Sequence, residues 1–325
     1  MSGTLLSEGI RGGDRRALAR AITVIESTRD DHRAQAGELL EQLMPYTGKA
    51  IRVGISGAPG VGKSTFIEAL GNHVIDEGHK VAVLTVDPSS TISGGSILGD
   101  KTRMETLSRR DEAYIRPSPS GDTLGGVTRR SRETLLLCEA AGFDVIIVET
   151  VGVGQSETKV ADMTDMFVLL LQPGGGDQLQ GIKRGIMELA DLILINKADD
   201  DLVTMADASA SEYRHALQLL RPRSSHWTVE VQTCSSRDSI GIDTAWDVMT
   251  RHQEALEGSG ELATIRAGQA RTWLWSEVQD SLIADLRNKY GTGHLISALE
   301  NAVSEGRMPA TTAAEKLLDN YLNRK

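Results

Sequence analysis

Residues 50–64 read Ala50-Ile51-Arg52-Val53-Gly54-Ile55-Ser56-Gly57-Ala58-Pro59-Gly60-Val61-Gly62-Lys63-Ser64. The first seven form a mostly apolar run that predicts a buried strand. The next eight, Gly57 to Ser64, complete the pattern Gly-x-x-x-x-Gly-Lys-Ser/Thr. Each part of that pattern has a physical task. The glycines let the backbone curl so that successive N–H groups converge on a polyphosphate. Lys63 reaches the β- and γ-phosphates, and the Ser64 hydroxyl is a ligand for Mg²⁺. A helix predicted over 64–76 aims its positive dipole end at the same anion. Thr65 opens that helix beside the loop.

The rest of the middle of the chain alternates in the same way. Strands are predicted at 50–56, 80–86, 113–116, 144–149, 166–171, 192–196 and 228–233. Several are continuous apolar runs, such as Val145-Ile146-Ile147-Val148 and Phe167-Val168-Leu169-Leu170-Leu171. Such runs suit a largely parallel sheet buried on both faces, and helices between them imply a doubly wound α/β fold. Residues 1–48 read as a pair of helices, the first capped by Asp14 and the second over about 31–43. Residues 256–325 turn helical again, with a long helix over 261–290, a break at Gly291 and Gly293, and shorter helices over 295–303 and 312–322. The expected organisation is therefore an N-terminal helical extension (1–48), a nucleotide-binding domain (49–255) and a C-terminal helical arm (256–325). Trp273 and Trp275, half of the chain's four tryptophans, lie in the arm. They suit a subunit interface and equally suit packing onto the chain's own central domain.

The 325 residues carry 35 Lys and Arg against 45 Asp and Glu, a formal net charge of −10. That balance argues against bulk nucleic-acid binding. Two cysteines, Cys138 and Cys234, give no disulfide framework and fit a reducing compartment. No apolar run is long enough for a membrane span, and the first residues lack the pattern of a secretory signal. Cytoplasm is the default expectation.

A second signature follows the sixth predicted strand: Asn196-Lys197-Ala198-Asp199. This is the Asn-Lys-x-Asp pattern of GTPases. The Asp199 carboxylate can accept from both N1–H and the 2-amino group of guanine, and adenine offers neither donor at that edge. A site built to bond a donor pair rejects an analogue lacking it by roughly 10⁴. Lys197 would lie along the base plane, and Asn196 would tie its loop back to the phosphate loop. After the last strand come Cys234-Ser235-Ser236, similar to the loop whose backbone N–H meets the guanine O6.

On the γ-phosphate side, the strand Val145–Val148 runs into Glu149-Thr150-Val151-Gly152. Small GTPases place Asp-x-x-Gly here; this chain has Glu-x-x-Gly. Glu149 is expected to hold a Mg²⁺-bound water, and the Gly152 N–H to contact the γ-phosphate, so that residues 150–162 switch with the nucleotide. Asp87, after the second strand, and Asp100 are candidate Mg²⁺-shell carboxylates; each also reads as an ordinary cap or turn former. Val153 stands where Ras-like enzymes keep a water-orienting Gln, and Gln155 lies two residues further on. Slow intrinsic hydrolysis, accelerated by a partner, is the expectation.

Together these runs, with Asp87-Pro88-Ser89-Ser90, Gly99-Asp100-Lys101-Thr102-Arg103-Met104 and Glu149-Thr150-Val151-Gly152-Val153-Gly154-Gln155-Ser156, resemble the MeaB/MMAA/ArgK family of P-loop GTPases over nearly the whole chain. The resemblance implies that Lys63 binds the γ-phosphate of GTP. It implies that Ser64, Asp87, Asp100 and Glu149 form the Mg²⁺ environment and that Asp199 selects guanine. It implies a further nucleotide-sensing loop over 174–183, in which Asp177 and Lys183 could turn toward the nucleotide, an alternative to a plain surface loop. It also implies a homodimer joined through the C-terminal arm, and a partner that is an adenosylcobalamin-dependent acyl-CoA mutase, methylmalonyl-CoA mutase above all. GTP binding and hydrolysis to GDP would then gate cofactor loading and protect the mutase. No Asp-x-His-x-x-Gly cobalamin pattern occurs, so the cobalamin should belong to the partner. Three other readings stand beside this one, among them a pure binding scaffold without hydrolysis, against which the complete Lys63, Ser64 and Glu149 chemistry argues. A metal-delivery GTPase would need His or Cys clusters, and the seven histidines are scattered. A kinase would need an acceptor site, which nothing in the sequence marks.

Overall fold

In the computed structural model the strand that leads into the phosphate loop, β1 (Ile51–Gly57), lies at the middle of a seven-stranded sheet of order β3-β2-β4-β1-β5-β6-β7. The structure describes residues 3–27, 29–86, 104–117, 124–150, 156–174, 184–220, 222–288 and 292–322. The other strands are β2 (Val81–Val86), β3 (Ala113–Arg116), β4 (Val145–Thr150), β5 (Met166–Leu171), β6 (Leu192–Ile195) and β7 (Glu230–Thr233). Every pairing is parallel. All residues of β2, β4, β5 and β6 are buried, which is why these strands read as continuous apolar runs rather than alternating ones. Each predicted strand is present, its ends shifted by at most two residues.

Helices cover both faces. On one, α4 (Lys63–Asp76) buries Phe66, Ile67, Leu70 and Val74 against β1, β2 and β4. On the other, α8 (Val203–Leu217) buries Ala206, Ala210 and Tyr213 against β5, β6 and β7. Between them in the chain lie α5 (Leu124–Ala140), α6 (Ser156–Ala161) and the single turn α7 (Arg184–Met187). Gly54 in β1 has a packing reason: a Cβ there would sit 2.7 Å from both Thr164 Oγ1 and Val160 Cγ1, so only Gly lets α6 lie this close to the strand.

The N-terminal region holds three helices, not the expected pair: α1 (Gly3–Arg11), α2 (Arg15–Glu26) and α3 (Asp30–Leu43). Gly12 and Gly13, which look like a loop, turn the chain between α1 and α2 so that Leu6 and Ile10 of α1 join the buried set. Asp14 caps α2 as expected, its Oδ1 accepting from Arg16 N–H at 2.8 Å. The group packs on α5, and Arg15 donates to the Ala113 carbonyl at the start of β3.

A buried charge network knits the opposite end of the sheet from the phosphate loop. Arg52 forms a two-pronged pair with Glu139 (2.8 and 3.0 Å), both side chains almost fully covered. Arg266 lies on α10 (Glu261–Asn288), which follows α9 (Ile242–Ser259). It donates to both oxygens of Asp165 (2.9 and 2.6 Å) and to the carbonyls of Gly48 and Ala50. Asp165 is wholly buried as a side chain, so removing its partner strands a charge. Arg266→Ala should lower unfolding stability by about 3–5 kcal/mol; urea denaturation checks this, and a loss below about 1 kcal/mol would refute it.

Asp191 and His252 are two further buried titratable groups, each in contact with Trp227. Asp191 Oδ2 accepts from the Phe167 N–H at 2.8 Å, and its carbonyl accepts from Trp227 Nε1. Trp227 meets the His252 ring edge to face at 4.9 Å. Burial pushes the Asp191 carboxyl up to about 6, against the opposing pull of Arg223. Burial likewise pushes His252 down to about 4. The two act oppositely on stability. Between the ordinary carboxylate value of 3.8 and about 6, folded Asp191 holds a proton that the unfolded chain has released, so its contribution falls as pH rises. His252 is held neutral, so its contribution is lost as pH falls from 6.5 toward 4. Asp191→Asn keeps the acceptor and removes only the first effect. Its stability relative to the parent chain should rise by about 2–3 kcal/mol between pH 4 and 7. Thermal melts across that range test it; parallel curves would rule it out.

By compactness the chain divides into residues 1–269 and 270–325, the boundary falling inside α10. The second unit contains the rest of α10, α11 (Thr292–Ser304) and α12 (Ala310–Tyr321), with α11 packed on α12 and Tyr321 donating to Asp285. The break expected at Gly293 falls instead within the first turn of α11. Leu274, Trp275, Leu282 and Ile283 are exposed.

Candidate functional site: a nucleotide cradle at the carboxyl ends of the strands

The loop after β1, the end of β4, the loop after β6 and the loop after β7 lie at the carboxyl ends of one parallel sheet. This is the crevice where open α/β sheets take ligands. The phosphate loop is built by its glycines. Gly60 and Gly62 take left-handed φ angles of +80° and +96°. A Cβ on Gly62 would also lie 2.6 Å from Asn196 Nδ2, and one on Gly57 would lie 2.4 Å from the Leu170 carbonyl. Val61 closes the curl by donating to the Ala58 carbonyl at 3.2 Å. Ala58, Pro59 and Gly60 form the exposed rim, and Val61 is buried beneath them. Gly62 starts α4, so Lys63, Ser64 and Thr65 occupy its first turn, where backbone donors are unspent by the helix.

Lys63 is buried, with Nζ curled back to 2.8 Å from the Gly57 carbonyl and 3.3 Å from that of Ala58. A buried ammonium at the mouth of a curled loop is a strong local cation for phosphate oxygens. Ser64 Oγ lies 3.3 Å from Glu149 Oε1, and Glu149 is itself buried at the end of β4. The next residue, Thr150, donates to Ser56 Oγ at 3.0 Å, fastening the ends of β4 and β1 together.

The end formed by Asn196–Asp199 and the loop after β7 is equally ordered. Asn196 Nδ2 donates to the Val61 carbonyl at 2.8 Å. Asn196 Oδ1 accepts from the Ser236 N–H (3.1 Å), from Ser236 Oγ (2.7 Å) and from Cys234 Sγ (3.6 Å). One side chain thus links three loops. Burial pushes the Cys234 thiol up to about 12, so it stays a neutral donor. Lys197 lays its ammonium on the Gly60 carbonyl at 2.7 Å. Asp199 Oδ2 accepts from Ser235 Oγ at 2.7 Å. Lys197 and Asp200 adopt left-handed φ angles of +62° and +48°. For non-glycine residues this is a costly turn, of a kind that clusters at ligand sites.

Thus Gly57–Ser64, Glu149, Asn196, Lys197, Asp199, Ser235 and Ser236 come together from three loops and the end of β4. Asp87, Asp100, Gly152, Gln155, Asp177 and Lys183 lie outside the described residues. Two features escaped the reading of the sequence. One is the Thr150–Ser56 hydroxyl pair. The other is Arg237, which sits against Asp199 and Asp200; its position directly after Ser236 was the only signal.

Comparison with known proteins agrees with this geometry. The family model described as Methylmalonyl Co-A mutase-associated GTPase MeaB matches residues 18–290. A putative GTPase of Caulobacter vibrioides is 55% identical over 313 residues, 96% of each chain. The mitochondrial methylmalonic aciduria type A homolog of Mus musculus is 48% identical over 329 residues, covering 98% of this chain and 79% of that one. A solved structure described as LAO/AO transport system kinase superposes with a TM-score of 0.78 at 39% identity, covering 99% and 98% of the two chains. The match along nearly the whole chain and the shared fold point the same way: the chain belongs to the MeaB family of P-loop GTPases, which hydrolyse GTP to GDP and phosphate.

Proposed function

We propose that this GTPase is a chaperone of an adenosylcobalamin-dependent acyl-CoA mutase, most specifically methylmalonyl-CoA mutase, and that its nucleotide state gates cofactor loading and protects the partner. The family's own description as mutase-associated supports the choice of partner. The observation that carries the nucleotide half is the direct tie between the two signatures: Asn196 to Val61 and Lys197 to Gly60. Through these bonds, occupancy at the base end bears on the loop that cups the phosphates.

In this reading Lys63 binds the β- and γ-phosphates, and the N–H groups of 57–65 wrap them. Asp199 accepts the two guanine donors, Lys197 covers the base, and the 235–236 backbone meets its O6. The Ser64 hydroxyl beside the buried Glu149 carboxylate is an all-oxygen donor pair that fits Mg²⁺, a hard cation. Those two residues, with Asp87 and Asp100, would hold it; when bound it supplies charge neutralisation between the phosphates. Gly152, Gln155, Asp177 and Lys183 would sense the γ-phosphate. With Val153 in the place of a water-orienting Gln, intrinsic turnover is slow and the partner accelerates it by reshaping the site.

In this scheme the 1–48 extension precedes the nucleotide-binding domain in the chain and the 256–325 arm follows it. The exposed Leu274, Trp275, Leu282 and Ile283 support a homodimer through the arm. Among the described residues no helix is long and apolar enough to cross a membrane, and the cytoplasm is the proposed location. The test is GTP turnover by the intact chain with and without purified methylmalonyl-CoA mutase, run beside gel filtration of both. A rise of about tenfold or more in phosphate release, with co-elution that depends on the nucleotide, is expected. Unchanged turnover and separate elution would defeat the chaperone reading, and elution of the chain alone as a monomer would defeat the dimer.

A further inference from the structure

Arg237 is the centre of a charge cluster at the base-reading end. Its Nη2 lies 2.8 Å from Asp200 Oδ2, 3.0 Å from Asp238 Oδ2 and 3.6 Å from Asp199 Oδ1, and its Nε donates to Asp238 Oδ1 at 3.0 Å. Ser235 Oγ, which donates to Asp199 Oδ2, also lies 3.4 Å from Asp238 Oδ2. Three carboxylates therefore crowd one guanidinium. They are not equivalent. The Asp199 side chain is 12% exposed, against 72% for Asp200 and 40% for Asp238. The strained turn at Asp200 swings that carboxylate toward the 235–238 loop, where Arg237 bridges the two loops. Left alone, three neighbouring carboxylates repel one another, and the most covered of them suffers most because solvent screens it least.

We propose that Arg237 is a positioning residue for base recognition: it neutralises the Asp199–Asp200–Asp238 cluster and holds the Asp199 carboxylate aimed at the donor edge of a guanine base. This rests on the reading of Asp199 as the guanine acceptor. It differs from a generic surface ion pair in one respect, because its effect falls on the base and not on the phosphates. Lys63 and the 57–64 loop bind phosphate without help from Arg237, so a ligand lacking the base should not notice its loss. A ligand lacking only the 2-amino group should be discriminated less well.

The experiment is equilibrium titration of the full chain and its Arg237→Ala, Arg237→Lys and Asp199→Asn variants with GDP, IDP (which lacks the 2-amino group), ADP and inorganic tripolyphosphate. Arg237→Ala should weaken GDP by about five- to tenfold and shrink the GDP-over-IDP preference by a similar factor. Tripolyphosphate affinity should stay unchanged. Raising salt from about 50 to about 500 mM should recover part of the GDP loss, since screening relieves the carboxylate repulsion. Arg237→Lys, which restores charge but not the two-sided fork, should fall between. An unchanged GDP/IDP ratio in Arg237→Ala would reduce Arg237 to a solvated ion pair and overturn the proposal. So would an equal loss of tripolyphosphate binding, which would mean collapse of the whole cradle. Asp199→Asn separates the two levels. If it abolishes guanine preference while Arg237→Ala does not, only the positioning role fails. If it keeps the preference, the base reading fails and the proposal with it.

Discussion

Lys63→Ala is expected to raise the dissociation constant for GTP by about a hundredfold or more, because charge-assisted hydrogen bonds to two phosphates, each worth about 1.5–3 kcal/mol, are lost together. The ammonium is buried at the loop's mouth, beside the carbonyls of Gly57 and Ala58. Solvent cannot take its place cheaply there. The methyl group of alanine creates no clash in the first turn of α4, and alanine is the best helix former. The variant should therefore fold, and its thermal midpoint without nucleotide should stay close to that of the parent. Isothermal titration with GTP is the direct measurement. A change of less than about threefold would mean that the 57–64 loop is not the phosphate site. The proposed mutase-dependent rise in turnover should be absent in the same variant, since it would need bound nucleotide.

Asp199→Asn is expected to exchange one base for another. Guanine presents two donors to the carboxylate, and a site built for donors discriminates strongly against a base without them. In the variant, Ser235 Oγ still donates to the position of Asp199 Oδ2. That draws the surviving amide oxygen to that side and leaves the NH₂ group at the other. The NH₂ then opposes the guanine 2-amino group, donor against donor, but complements the 2-carbonyl of xanthine. GDP affinity should drop by about a hundredfold while xanthosine diphosphate gains by at least about tenfold. Competition of both against a labelled nucleotide reads the exchange. If guanine selectivity survives intact, Asp199 does not read the base.

Much of the fold was legible because buried parallel strands leave a mark that needs no long-range information. Val145–Val148 and Phe167–Leu171 are covered on both faces and cannot afford polar residues, so they appear as plain apolar runs. The phosphate loop was legible for a related reason. Its backbone curl demands Gly57, Gly60 and Gly62 at fixed spacing, and its chemistry demands Lys63 and Ser64 next to them. The helix α1 was not legible: Gly12 and Gly13 look like an unstructured start, and only packing of Leu6 and Ile10 gives the preceding residues a reason to be helical. Arg52 and Arg266 were also opaque. A charged residue in or beside an apolar segment signals burial only when its partner is known, and Glu139 and Asp165 lie 87 and 101 residues away.

What the linear order determined by itself was the local chemistry: a curled anion-binding loop, a guanine-type tetrad of residues and a run of strands that had to be parallel. These depend on neighbours a few residues apart, where backbone geometry follows from residue type. Only the tertiary structure decided that Asn196 reaches Val61, that Glu149 stands beside Ser64, and that Arg237 gathers three aspartates at the base end. The contacts between separate segments span 37 to 135 residues along the chain, and they exist because one sheet delivers three loops and the end of β4 to the same edge.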